Sequence, residues 1–343
     1  MKPLLSRLAL VPLLVAGALA AGPAFAGKAI DAIKARGQLI CGVNPSLPGF
    51  SAADSQGNWA GLDVDVCKAV AATLLGDAGK IKWTPLNASQ RFAVLQSGEV
   101  DVLSRNTTWT LTRDASLGLH FTGVTYYDGQ GFMVTKKSKI TSAKQLKGAT
   151  VCVQSGTTTE KNLTDFSKAA GLNLKPVVID TQEATNKAYF AGRCQAYTTD
   201  ASGLASVRNK EAGNPEDHVI LPDLISKEPL GPSVRRGDDE FFAIVKWVVF
   251  ALVEAEEYGI TQANVDQMKT STDPVVQRIL GVSEDTGKLL GLDRDWAYRA
   301  IKAVGNYGEI FERNVGPKSA LKLPRGANNL WSKGGLIYAP PVR

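Results

Sequence analysis

The sequence predicts an α/β protein of two lobes, each an open, mostly parallel sheet flanked by helices. Three observations predict it. Short apolar runs of strand character alternate with segments of helical spacing along most of the chain. Residues 126–131 and 221–234, rich in Gly and Pro, interrupt that alternation and read as crossings between lobes. The length of 343 residues exceeds one small domain and suits two.

Taken in order, residues 38–43 read as a strand, followed by the turn residues Asn44, Pro45, Pro48 and Gly49, then Phe50 and a polar loop over 53–58. Residues 63–75 carry Val66, Val70 and Leu74 at helical spacing, with Asp63 and Asp65 placed to cap and to complement the helix dipole. A strand over 81–84, a short helix over 89–96 and a strand over 100–103 follow. Beyond the first crossing come strands at 132–135, 150–153, 175–179 and 195–199, with helices at 160–170, 181–191 and 201–207 between and after the last three. After Asp238 the chain is mainly helical until a Gly-, Pro- and Asn-rich tail from about Gly316. Residues 241–253 are strongly apolar, yet too short to cross a bilayer, and they contain Lys246. Acidic residues bracket them, so a buried helix stopped near Gly259 is expected.

The N-terminus carries a targeting segment. Lys2 and Arg7 precede an apolar stretch, and Ala24-Phe25-Ala26 supplies a cleavage site, so a mature chain starting near Gly27 is expected, soluble in a periplasm. No cysteine follows the cleavage site to carry a lipid anchor. The expected lobes are residues 27–128 plus 229–343, and residues 129–228. Cleavage lowers the formal charge from +6 to +4, a modest surplus without a long basic run, which makes nucleic acid a poor candidate partner. The four cysteines, Cys41, Cys67, Cys152 and Cys194, allow three pairings, and sequence alone does not choose among them. Pairing within predicted lobes favours Cys41–Cys67 and Cys152–Cys194, each contributing on the order of 3–4 kcal/mol in the chain-entropy model. No C-x-x-C is present, only His120 and His218 stand ready to assist a metal, and nothing implies an organic cofactor.

Two motifs carry chemistry. In Val151-Cys-Val-Gln-Ser-Gly-Thr-Thr-Thr-Glu160 a strand runs into Ser155-Gly156, and hydroxyl residues then open a helix. Free N–H groups of a first helical turn, with the helix dipole, form an anion site, and Gly156 lets a ligand approach the backbone. The same residues, Thr157-x-x-Glu160, also fit a capping box that merely starts a helix. Upstream, Asn106-Thr-Thr-Trp-Thr-Leu-Thr-Arg113 brings hydroxyls and a guanidinium suited to a carboxylate.

With these motifs, and with Gly61-Leu-Asp-Val-Asp-Val66, Leu95-Gln-Ser-Gly-Glu-Val-Asp101 and Tyr197-Thr-Thr-Asp200, the chain resembles the polar amino-acid-binding proteins of ABC importers. Its likeness is greatest to the periplasmic general L-amino-acid-binding branch, over residues 37 to about 292. The resemblance implies a periplasmic-binding-protein fold, two α/β lobes on two hinge strands that close on a ligand, a monomer, and an inner-membrane ABC permease as partner. By that resemblance Arg113 holds an α-carboxylate, assisted by Thr108 and Thr158. Asn106 contacts the α-amino group through its carbonyl, Asp200 pairs with the ammonium, Phe50 covers the ligand, and Gln154 and Thr157 line the second lobe. Arg91, where acidic-amino-acid binders place a side-chain-binding arginine, and Arg105 bear on specificity. They point to glutamate, glutamine, aspartate and asparagine within an open, broad range. The tail beyond about Leu292 is longer than the resemblance accounts for.

Each position has a plainer alternative: Arg113 ending a surface loop, Asp200 capping the next helix, Phe50 in the core, Arg91 on a solvated face. Two other functions share the fold: a periplasmic dehydratase using Glu160 or a histidine as general acid, and a soluble sensor that hands a ligand-bound shape to a membrane receptor. Against catalysis, the sequence holds no G-x-S-x-G, H-E-x-x-H or Walker loop.

Overall fold

The computed structural model describes residues 28–343, so the targeting segment read in residues 1–26 lies outside the described residues. Helix α1 (Lys28–Arg36) leads to β1 (Leu39–Val43), then to a small antiparallel sheet of β2 (Ser46–Leu47), β3 (Ser51–Ala53) and β4 (Trp59–Ala60). Next come α2 (Leu62–Leu75), β5 (Ile81–Pro85), α3 (Arg91–Ser97), β6 (Val102–Leu103) and β7 (Leu119–Phe121). The chain crosses on β8 (Tyr126–Asp128) into β9 (Gln130–Thr135), β10 (Thr150–Gln154), α4 (Thr158–Ala169) and β11 (Lys175–Ile179). There it adds α5 (Gln182–Phe190), β12 (Ala196–Asp200), α6 (Ala201–Glu211) and β13 (His218–Ile220). It returns on β14 (Glu228–Leu230) to β15 (Ser233–Arg235), followed by α7 (Asp239–Glu257), α8 (Val265–Met268), α9 (Pro274–Ile279), α10 (Trp296–Val304) and α11 (Tyr307–Asn314).

These strands make two five-stranded sheets, ordered β5-β1-β6-β15-β7 and β11-β10-β12-β9-β13. In the first, β5, β1 and β6 pair in parallel while β15 runs against β6 and β7. The second repeats this, with β9 running against its parallel neighbours' direction. The alternation of strand and helix thus becomes two lobes with helices on their sheet faces. The carboxyl ends of the central strands deliver the loops that build the cleft. The crossing strands β8 and β14 pair antiparallel with each other, Asp128 opposite Glu228 and Tyr126 opposite Leu230. Pro229 sits in this two-stranded ribbon, where its missing N–H costs no ladder of a wider sheet.

The first lobe holds the larger core. Ile244, Val245, Val248 and Leu252 of α7 recur at three- and four-residue spacing and are buried with Val70 of α2 and Ala297, Ala300 and Ile301 of α10. Asp238 caps α7, accepting from Phe241 N at 3.0 Å, and its other oxygen accepts from Ala29 N at 2.8 Å, which pins α1 to the same corner. Among the described residues, no helix is long and apolar enough to cross a membrane. The second lobe buries two smaller clusters, around Phe132, Val151 and Leu163 and around Cys152, Tyr189 and Tyr197. Disulfides join Cys41 to Cys67, β1 to α2, and Cys152 to Cys194, β10 to the turn before β12.

The polar loop expected over 53–58 is present as the exposed hairpin turn between β3 and β4, with only Ala53 drawn into a strand. One expectation differs from the structure. Asp63 and Asp65 do not cap α2, which begins without a side-chain cap; Asp65 instead accepts from Arg313 Nη2 at 2.7 Å and from Asn314 Nδ2 at 2.6 Å, tying α2 to α11. The Gly-, Pro- and Asn-rich tail is packed against the first lobe. Leu330, Ile337 and Val342 join the main core, and Val342 N donates to Glu254 Oε2 at 3.0 Å. Arg325 pairs with Glu256 at 3.1 Å and lies over the rings of Tyr307 and Phe311. Asn328 grips the hinge: its Oδ1 accepts from Tyr127 N at 2.7 Å and its Nδ2 donates to Tyr127 O at 3.1 Å. Removing that amide with Asn328→Ala leaves two inward main-chain groups of β8 unpartnered. A loss of about 1–3 kcal/mol is expected, read as a lowered urea midpoint at unchanged m-value.

Candidate functional site in the interlobe cleft

The loops leaving β1 and β6 meet those leaving β10 and β12 around a cavity lined by residues of both lobes. The lobes touch across it. Asn44 Nδ2 donates to Gln182 Oε1 at 2.9 Å, and Ser206 Oγ donates to Pro48 O at 2.7 Å. The arrangement is therefore closed.

Of the residues singled out from the sequence, Arg91, Arg105, Asn106, Thr108, Gln154, Thr157, Thr158 and Asp200 line this cavity. Asp200 occupies the N-cap position of α6, but its side chain makes no cap hydrogen bond. It is buried, has no hydrogen-bond partner among the described residues, and is held well above the usual carboxylate range by burial and by the neighbouring Asp128 and Glu228. Arg91 opens α3 facing inward rather than on a solvated face. It is 3% exposed, its Nε has no partner among the described residues, and burial together with Arg113 and Arg105 pushes it well below the usual guanidinium range. Arg105 spends its Nε on Leu86 O at 2.8 Å, and burial brings its pKa to about 10.

Arg113 is close enough to Arg91, Arg105 and Asp200 to shift all three. It lies in a turn of π-helix over Thr112–Ser116, is buried, and donates from Nη1 to Thr108 O at 2.9 Å, so it stands directly behind the cavity wall. Burial lowers its pKa to about 10, opposed by Glu228 and Asp200. The guanidinium carbons of Arg91 and Arg113 both lie over the ring of Phe92, 4.7 and 5.0 Å from its centroid. Phe50 is not at the cavity. It is fully buried in the first-lobe core, edge-on to Tyr126 at 5.2 Å, because the turn after β2 directs it there; Leu47, three residues earlier, takes the place on the wall.

On the second lobe, Thr157 caps α4, accepting from Glu160 N at 3.1 Å and donating to Gln154 O at 2.7 Å. Glu160 returns to accept from Gly156 N at 2.9 Å, one residue before the cap, so the capping box is displaced by a residue. The N–H groups of Thr158 and Thr159, first in the helix, are left for a ligand. Gly156 has φ +70, and a Cβ there would stand 3.0 Å from Ser89 Cα of the opposite lobe. The glycine thus also permits close contact between the lobes.

Sequence reasoning missed several residues. Gln182, Thr199 and Gly203 complete the wall. Asp63 accepts from Asn106 N at 2.7 Å and from Ser104 Oγ at 3.2 Å, holding Asn106 in the left-handed region at φ 35. Burial raises Asp63 to about 6 against these bonds and Arg105. Glu228 of β14 is buried behind Thr108 and Thr158 and accepts from both hydroxyls. For Glu228 no signal existed in a crossing read only for its Pro and Gly. For Asp63 the distance of 43 residues from its partner hid the contact.

Sequence comparison places the chain in a family. Residues 39–264 match the model for bacterial extracellular solute-binding proteins, family 3, and the chain belongs to that family. It is 60% identical over 313 residues to the general L-amino acid-binding periplasmic protein AapJ of Rhizobium johnstonii, covering 91% of this chain and 92% of that one. It is 56% identical over 327 residues to the glutamate/glutamine/aspartate/asparagine-binding protein BztA of Rhodobacter capsulatus, covering 95% and 96%. Among solved structures, a periplasmic binding protein from Brucella ovis with glutathione bound superposes with a TM-score of 0.90 at 56% identity, over 92% of this chain and 99% of that one.

Gly156→Ala is expected to lower the thermal midpoint through strain of about 1–2 kcal/mol at positive φ, and also to weaken ligand affinity by about fivefold because it presses Ser89 on closure. Calorimetric titration beside a melt separates the two effects. The raised pKa of Asp63 makes its contribution to stability largest below pH 3.8 and lost as pH rises through about 6. Accordingly, the melting temperature of the protein relative to Asp63→Asn should rise as pH falls from 7 to 4.

Proposed function

We propose that the protein is a periplasmic receptor that captures L-amino acids, acidic ones and their amides foremost, by closing two lobes, and delivers them to an inner-membrane ABC permease. The moving parts are residues 27–128 plus 229–343 and residues 129–228, joined by β8 and β14. One observation carries the reading: the carboxylate of Asp200 and the guanidinium of Arg91 are buried on the walls of one cavity, and among the described residues Arg91 Nε has no partner and Asp200 makes no cap hydrogen bond. A ligand that brings an ammonium to the first and a carboxylate or amide oxygen to the second relieves both costs together. Its α-carboxylate is taken by the first-turn N–H groups of α4, with Arg113 behind Thr108 supplying positive charge. Because these partners sit on both lobes, only the closed form satisfies every ligand group, and binding favours closure.

The names of the relatives support this ligand class, since one is described as general for L-amino acids and another for glutamate, glutamine, aspartate and asparagine. Catalysis has no comparable support. Glu160, the acid a dehydratase reading would use, is engaged by Gly156 N and by the start of α4.

The test is calorimetric titration of mature, ligand-stripped protein with the twenty amino acids, with glutathione alongside as a larger ligand presenting the same α-amino and α-carboxylate groups. Asp200→Asn and Arg113→Ala are expected to weaken binding by at least about 100-fold, as loss of a buried charged partner does. Arg91→Ala should cost glutamate and aspartate more than glutamine and asparagine. Silence from all titrants ends the reading.

A further inference from the structure

Glu228 is 1% exposed and every acceptor direction of its carboxylate is engaged. Oε2 accepts from Thr108 Oγ1 at 2.6 Å and from Thr158 Oγ1 at 2.8 Å. Oε1 accepts from Asn162 Nδ2 at 2.7 Å and from Ser226 Oγ at 2.5 Å. Thr108 belongs to the loop after β6, whereas Thr158 and Asn162 lie one turn apart on α4. One carboxylate on a hinge strand thus receives hydrogens from both lobes. The two threonine oxygens are 3.4 Å apart and both residues line the cavity, while Glu228 stands behind them.

A hydroxyl has one hydrogen to give. With both hydrogens spent on Glu228, the threonine oxygens present only lone pairs to the cavity. They accept from a ligand's ammonium or amide and cannot donate to its carboxylate. We propose that Glu228 is the positioning residue of capture. It joins Thr108 to Thr158 when the lobes close, and it sets both hydroxyls as acceptors toward the ligand. This rests on the amino-acid-capture reading for its ligand, but the interlobe junction stands on the hydrogen bonds of Glu228 alone.

The experiment is stopped-flow tryptophan fluorescence with L-glutamate on the mature protein, comparing Glu228→Gln, Thr158→Val and the double variant, with thermal melts to report folding. Each single change should raise the dissociation rate by about tenfold, as loss of charge-assisted hydrogen bonds does, and leave association within about twofold. The double variant should be no faster than either single one, because both act through the same junction. Unchanged dissociation, or rates that multiply, overturns the proposal. Should Glu228→Gln not fold, Thr108→Val with Thr158→Val carries the same non-additivity test. If the parent protein binds no glutamate, the capture reading fails, and Glu228 is judged without ligand instead. Spin labels, one per lobe, should then report a longer mean separation in Glu228→Gln, and an equal separation refutes the junction.

Discussion

An ion buried without a partner costs several kcal/mol, and the cleft is organised around that constraint. Arg91 and Asp200 face the same cavity, yet no ion pair joins them among the described residues. Around them stand Arg105 and Arg113, with Asp128 and Glu228 behind, so charge of both signs is spread through the site and each group shifts its neighbours. A protein selected for stability alone would replace these groups with apolar ones. In the closed arrangement these groups carry a desolvation cost, which a zwitterion with a second acceptor end offsets.

The hinge ribbon is where the strands of both lobes and the C-terminal extension meet. On one side, Asn328 holds the main chain of Tyr127, and its own segment is anchored by Arg325 on Glu256. On the other, Glu228 projects toward the cleft from the paired strand. The extension therefore braces β8 against the helical core, and β14, paired with β8, is itself bridged to the Thr107–Trp109 segment. Glu228 thus stands in a fixed frame beside Thr108, from which its carboxylate reaches Thr158 and Asn162 of the other lobe.

Most of the fold was legible because strand and helix alternate with clear spacing, and because Thr157 and Asp238 start their helices with side chains that local rules recognise. The parts of the site built from contiguous motifs were legible as well: Thr157 and Thr158 follow one strand, and Asn106 and Thr108 another. What could not be read depends on contacts between distant segments. Leu47 and Phe50 are three residues apart on a turn and both pack in the first-lobe core, yet Leu47 also lines the cavity while Phe50 packs edge-on to Tyr126. Asp63 looks like a helix-start acid by local rules, but the loop after β6 comes close enough to take its carboxylate. The tail lacks periodicity, so its burial, spread over Leu330, Ile337 and Val342, gave no local sign.

The two disulfides each close a circuit inside one lobe: Cys41–Cys67 staples the first sheet to its helix, and Cys152–Cys194 ties two segments of the second. Neither spans the hinge ribbon. Oxidation therefore hardens the two bodies and leaves the angle between them untouched. The same covalent chemistry that keeps an exported chain folded in an oxidising compartment places no restraint on the motion that admits and releases a ligand.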